Sequence, residues 1–269
     1  GIDLSGPALM GVVNVTPDSF SDGGDFFDPA RAIDHALKLA EDGAAIVDIG
    51  GESTRPGADP MTVADEIARV LPVIEAAVAA GVTVSVDTRR APVMEAAIAA
   101  GARIVNDISA LTEDPDALDI IARTDASVIL MHMQGTPETM QQAPEYRLAS
   151  FDICHWLNAR VAACVDAGIT LDRIAVDPGI GFGKTDLHNM EILGRSGLFH
   201  GTGCAVAIGV SRKSFIGRIA GADDPRDRLP GTIAATVMAL DRGVQIHRVH
   251  DVAEIRQAVA IWNSMNDKT

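Results

Sequence analysis

Eight short apolar runs, rich in β-branched residues, recur along the chain: Ala8 to Asn14, Ala45 to Asp48, Val82 to Asp87, Arg103 to Asp107, Ser127 to His132, Ile174 to Asp177, Ala205 to Ser211 and Gln245 to His250. Neither alternate face of these runs is polar, which predicts strands of a parallel sheet buried on both sides. Helical stretches lie between and after them: Pro29 to Glu41, Thr62 to Ala80, Ala91 to Ala100, Asp116 to Arg123, Phe151 to Ala167, Leu187 to Leu193, Thr232 to Arg242 and Val252 to Met265. Asp28 predicts an N-cap with Pro29 at the first helical position, and Gly43, Gly81 and Gly101 predict stops. Strand then helix, eight times with no linker composition between, predicts a single-domain (β/α)8 TIM barrel over residues 1 to 269. An open doubly wound sheet would share the alternation. No Gly-x-Gly-x-x-Gly follows the first run, however, and polar ends on all eight runs converge only on a closed mouth.

Those polar ends carry the chemistry, because loops after the strands build the active site of such a barrel. Asn14 leads into a long polar loop, and Asp48 into Gly50-Gly51-Glu52-Ser53-Thr54-Arg55-Pro56-Gly57, whose paired glycines admit a ligand to the backbone and whose Arg55 offers a fork-shaped anion donor. Asp48, Asp87, Asp107 and Asp177 would crowd one mouth with negative charge, a costly arrangement unless a donor-rich ligand satisfies it. A guanidine-like edge, as an aminopyrimidinone ring presents, suits such a carboxylate, and Asn106 can both donate and accept. Asp107 and Asp48 have a second reading as residues that cap a helix or tie down a loop.

The glycine-rich stretch Asp177 to Thr185 is not a Walker A loop, since Pro178 stands where that motif needs glycine, but it presents Phe182 as an apolar wall. Lys213, just past the seventh run, is either an imine-forming nucleophile or a hydrogen-bond donor. Arg248 and His250 share a parity and form a candidate anion grip, with general-base work as the other use of His250, while His247 has the parity of the outer packing.

Composition narrows the partners. Lys plus Arg number 22 against 37 Asp plus Glu, a formal charge of −15 that repels nucleic acid and anionic membrane surfaces. An anionic substrate must therefore be held by a local cluster of cations. No apolar stretch approaches the roughly 18 uninterrupted residues of a membrane helix, and no leader-like segment is evident, so a cytoplasmic protein is expected. Cys154, Cys164 and Cys204 have no metal spacing and are expected to be reduced.

Taken together, Asn14 to Gly24, Asp48 to Gly57, Asp177 to Gly183, Ser211-Arg212-Lys213-Ser214 and Arg248-Val249-His250-Asp251 resemble the dihydropteroate synthase family of pterin-binding enzymes, over essentially the whole chain. The resemblance implies a transferase that joins 6-hydroxymethyl-7,8-dihydropterin pyrophosphate to p-aminobenzoate in folate biosynthesis, the step targeted by sulfonamides. It implies that Asp87, Asn106, Asp177 and Lys213 hold the pterin, with Met131 against the ring and Asp48 close by. Asn14, Arg248 and His250 would hold the pyrophosphate with Mg2+, Asn14 being the metal-side residue. Phe20, Thr54, Arg55, Pro56, Phe182 and Ser214 would surround p-aminobenzoate. Asp87, Lys213, Arg248 and His250 would carry the chemistry, in a homodimer formed through outer helices. The competing readings are methyl transfer from methyltetrahydrofolate to a corrinoid partner, an imine-forming aldolase using Lys213, and a pterin-binding scaffold without turnover. One departure from the family pattern is the polar, glycine-rich stretch Gly194 to Gly203, expected on the side of the barrel away from catalysis and to bear on stability or assembly.

Overall fold

The computed structural model describes residues 4–16, 28–52 and 61–266. Its strands are β1 (Ala8–Asn14), β2 (Ile46–Gly50), β3 (Val84–Asp87), β4 (Ile104–Asp107), β5 (Ser127–Met131), β6 (Ile174–Asp177), β7 (Ala205–Gly209) and β8 (Ile246–Val249). They pair in parallel in chain order, and β8 returns to β1 to close the barrel. The predicted (β/α)8 architecture is therefore the one adopted.

Two apolar clusters build it. Met10, Ile46, Ile104, Ile129, Ala175, Ala207 and Ile246 fill the barrel's interior, while Leu9, Val47, Val84, Val105, Val128, Val176, Val206 and Val249 belong to the outer core that also takes in the helices. Successive strand residues alternate between these two environments, as the period of two requires. On this parity Asp48 follows Ile46, Asn106 follows Ile104, Asp177 follows Ala175, and Arg248 follows Ile246 into the interior. His247 faces the outer packing, as its parity predicted, where it is buried and its Nε2 lies 3.0 Å from the Val244 carbonyl.

The helix starts follow local chemistry. Asp28 caps Pro29–Glu41 by accepting from the Ala30 amide at 2.9 Å, and Thr62 caps Val63–Ala79 by accepting from the Asp65 amide at 3.1 Å. A short helix at Ser214–Ala220 and a 3-10 turn at Pro225–Arg228 precede the helix Leu229–Leu240, where sequence spacing predicted one helix from Thr232 to Arg242. Gly217 interrupts the apolar pattern of the short helix for a steric reason: a Cβ there would lie 2.4 Å from the Ala222 carbonyl.

The stretch Gly194 to Gly203, expected to be a polar excursion, folds as a 3-10 helix over Ser196–Thr202 that buries Phe199 completely. It immediately precedes β7 and so lies at the end of the barrel opposite the strand termini that carry the polar residues. All three cysteines are free thiols, with Cys164 and Cys204 buried. No helix among the described residues is long and apolar enough to cross a membrane.

Candidate active site

The C-terminal ends of the strands gather Asn14, Asp48, Asp87, Asn106, Met131, Asp177 and Arg248 at one mouth. Glycines make room between them. Gly50 pairs with Asp87 across β2 and β3, where a Cβ would come within 3.3 Å of the Asp87 side chain, and Gly209 stands beside Arg248.

Arg248 organises the acidic floor. Its Nε donates to Asp48 Oδ2 at 2.6 Å and its Nη2 to Asp87 Oδ2 at 2.7 Å. Asn106 Nδ2 donates to the same Asp48 oxygen at 3.1 Å. The sequence offered Arg248 as half of an anion grip; its guanidinium also reaches down between the two carboxylates, because two desolvated carboxylates are costly without a cation between them. Asp48 is fully buried, and its other oxygen, Oδ1, has no partner among the described residues; neither does the hydroxyl of Ser85, its neighbour across β2 and β3. An unanswered carboxylate oxygen at this depth calls for an N–H donor.

Electrostatics follow from burial. Desolvation raises the Asp87 carboxyl to about 7, Arg248 opposing and Asp48, Asp107 and Glu66 adding to the rise. Desolvation also raises Asp177, opposed by Lys213 and by the Gly179 amide that donates to it at 2.7 Å. Lys213 is lowered to about 8 by burial, against the pull of Asp177. Its Nζ donates to the Ile180 carbonyl and stands 4.7 Å from the centre of the Phe182 ring. Arg248 stays charged, the Asp48 and Asp87 carboxylates outweighing its burial.

Of the remaining predicted residues, His250 follows β8 with Nδ1 3.0 Å from Ser211 Oγ, and Ser214 is an exposed first residue of the helix after β7. The Phe182 ring lies against the Lys213 ammonium, 4.7 Å from centroid to nitrogen. Phe20, Thr54, Arg55 and Pro56 lie outside the described residues. Asp107, counted with the acidic cup, turns the other way: it has the parity of Val105, and its carboxylate accepts from Ser109 N and Oγ, both at 2.7 Å, and from Leu111 N at 2.8 Å. It ties a loop down.

Two arrangements escaped sequence reasoning. Glu52 pairs with Arg89 and Arg90, and Arg90 with buried Glu66, which also accepts from Thr88 at 2.7 Å, so the start of the loop after β2 is fastened to the loop after β3. Lys184 is buried and donates to protein carbonyls rather than to solvent. The first has no local signature, because its partners are far apart in the chain. The second was signalled only by a lysine closing a glycine run.

Comparison with known proteins bears on this geometry. Residues 10–250 match the family described as pterin binding enzyme. The dihydropteroate synthase of Escherichia coli K12 is 44% identical over 261 residues, covering 97% of this chain and 92% of that one. The structure of Xanthomonas albilineans dihydropteroate synthase with 4-aminobenzoic acid is 43% identical, with a TM-score of 0.93 over 99% of this chain and 95% of that one. The same enzyme in complex with 7,8-dihydropteroate gives 41% identity and a TM-score of 0.90, over 99% of this chain and 96% of that one.

Proposed function

Because the chain belongs to the pterin-binding enzyme family, and within it to the dihydropteroate synthases, which are transferases, we propose that this mouth condenses 6-hydroxymethyl-7,8-dihydropterin pyrophosphate with p-aminobenzoate. The observation that carries the reading is the arrangement of Asp48, Asp87, Asn106 and Arg248 within mutual hydrogen-bond reach at one barrel end, with Asp48 Oδ1 left for an N–H donor. The aminopyrimidinone edge of a pterin supplies such donors. Asp177, Asn106 and Lys213 then hold the ring, and Met131, which shares the interior parity of Ile129, packs against it.

In the reaction the bond from the pterin methylene carbon to the diphosphate oxygen breaks, the electron pair leaving with the diphosphate. The cation that develops is delocalised into the ring, where the fixed carboxylate of Asp87 stabilises it. Arg248 and His250 stabilise the departing anion. The arylamine nitrogen attacks the methylene carbon to form the new N–C bond, and the proton it then sheds passes to the released diphosphate or to solvent. Phe182 walls the site against water, which would otherwise compete for the cation. Lys213 serves as a donor and not as an imine former, a reading supported by an ammonium already engaged by the Ile180 carbonyl and the Phe182 ring.

Mg2+ suits this donor set in one way. The described residues contain no group of three or more His, Cys, Asp or Glu able to hold a metal, whereas Asn14 offers one hard oxygen at the end of β1. That fits an ion carried mainly by diphosphate oxygens and water, with Asn14 as the protein's contribution; it would supply charge neutralisation of the leaving group. We also propose a homodimer. Exposed Leu187 and Ile219 lie on two outer helices bridged by the Arg218–Asp186 ion pair, and apolar side chains there favour a second copy.

The test mixes protein, Mg2+, the pterin pyrophosphate and p-aminobenzoate and follows dihydropteroate. Product is expected; tight pterin binding without product would overturn the enzymatic reading in favour of a scaffold. Borohydride with substrate should leave no adduct on Lys213.

A further inference from the structure

Four consecutive carbonyls in the loop after β6 each accept a hydrogen bond from a different side chain. Ile180 O accepts from Lys213, Gly181 O from Gln141 Nε2 at 2.7 Å, Phe182 O from Lys184 Nζ at 2.7 Å, and Gly183 O from the Tyr146 hydroxyl at 2.8 Å. Regular structure never splays successive carbonyls in this way; the curl depends on left-handed backbone at Gly179, Gly181 and Gly183. The loop is also pressed onto the one after β5. A Cβ at Gly179 would lie 2.0 Å from the His132 carbonyl, and one at Gly183 would lie 2.8 Å from Gln134.

Lys184 is the buried member of this set. With 2% of its surface exposed, its Nζ stands within hydrogen-bond reach of three groups: Phe182 O at 2.7 Å, the His132 carbonyl at 3.2 Å and His132 Nδ1 at 3.1 Å. The His132 ring is fixed in turn, edge-on to Trp156 with centroids 5.0 Å apart. A lysine interred beneath a loop, with no salt-bridged carboxylate among the described residues, is expensive to bury, and nothing in the proposed chemistry uses it directly.

We propose that Lys184, with His132 as its acceptor, is a positioning residue for the pterin site: it holds the loop in the curl that presents the Ile180 carbonyl and the Phe182 ring to the Lys213 ammonium. This rests on the functional reading above, in which Lys213 donates to the pterin ring. The lysine that a phosphate-loop motif would aim at a nucleotide is here turned inward to shape the loop itself.

The test compares Lys184→Met, which loses every donor, and Lys184→Gln, which keeps an N–H, with the unaltered protein. KM for each substrate, kcat and thermal unfolding are measured. A donor equally engaged in ground and transition states acts through KM, so Lys184→Met is expected to raise KM for the pterin pyrophosphate roughly tenfold or more with kcat changed far less. Lys184→Gln should recover part of that loss. A merely structural role would lower the unfolding temperature, and kcat through the folded fraction, while leaving KM alone; that outcome overturns the proposal. Should Lys184→Met fail to fold, His132→Phe withdraws the ring nitrogen from the same lysine, and an unchanged KM for the pterin pyrophosphate there overturns it equally. If the unaltered protein makes no dihydropteroate, the functional reading falls and this one with it; turnover by the unaltered protein with an unchanged KM in the variants removes the positioning role alone.

Discussion

The Arg248 guanidinium lies 2.7 Å from the Asp87 carboxylate and bridges it to Asp48, so the cation assigned to the leaving diphosphate also serves as counter-ion for the acidic floor. Arg248→Ala should therefore have two effects. Leaving fully buried Asp48 without its cation should cost about 3 kcal/mol in chemical denaturation, as when one partner of a buried pair is removed. Calorimetric binding should weaken more for the pterin pyrophosphate than for free pterin; equal losses would contradict a role on the diphosphate.

The pH dependence of kcat/KM should be bell-shaped. Asp87, held at about 7 chiefly by burial, becomes neutral as pH falls through that value and can no longer stabilise a cation. Lys213, lowered to about 8 by burial, loses its charge as pH rises through that value. Rates should decline on both sides of the interval between 7 and 8, and any residual activity of Lys213→Met should lack the alkaline limb. A flat profile from pH 5 to 9 would contradict both assignments.

Asp87 should also leave a trace in stability. Its folded value lies above the roughly 3.9 of a free carboxyl, so the stabilisation from its proton is present below that value and disappears as pH rises through 7. The unfolding temperature of Asp87→Asn minus that of the unaltered protein should accordingly be larger at pH 8 than at pH 5. A difference independent of pH would count against a raised Asp87.

Asp107→Ala should destabilise the barrel by about 2 to 3 kcal/mol in urea, since three hydrogen bonds to its carboxylate are lost. Ala110 and Leu111, at φ +53° and +60°, depend on those bonds to stay in left-handed backbone. Retention of KM for both substrates is expected, and a large rise would return Asp107 to the ligand site.

Phe199→Ala removes a fully buried ring at the far end of the barrel and should cost about 3 to 4 kcal/mol while leaving kcat and KM unchanged. A comparable loss of activity without loss of stability would contradict the location of the Ser196–Thr202 helix.

Most of the barrel was legible because its signal is local. Alternation within each strand and a polar residue at its end suffice to place Asp48, Asn106, Asp177 and Arg248 inside, and the adjacency of Asn106 and Asp107 already means that only one of them can face the interior. Pairings between distant segments were not legible. Nothing near Arg248 says that it turns to Asp87 rather than outward, and nothing near Lys184 reveals that His132, fifty-two positions earlier, completes its shell. The helix Ser214–Ala220 was missed because Gly217, needed for close approach to Ala222, disguises it as a loop.

The strict alternation of the strands also limits how this barrel can change over time. One extra residue between Ile46 and Asp48 would swing the carboxylate to the helices and bring the neighbouring valine or isoleucine to the ligand, forfeiting both recognition and packing in one event. Within the strands, single substitutions are therefore open to gradual change whereas gain or loss of one position is not, and length variation between descendants belongs in the connections.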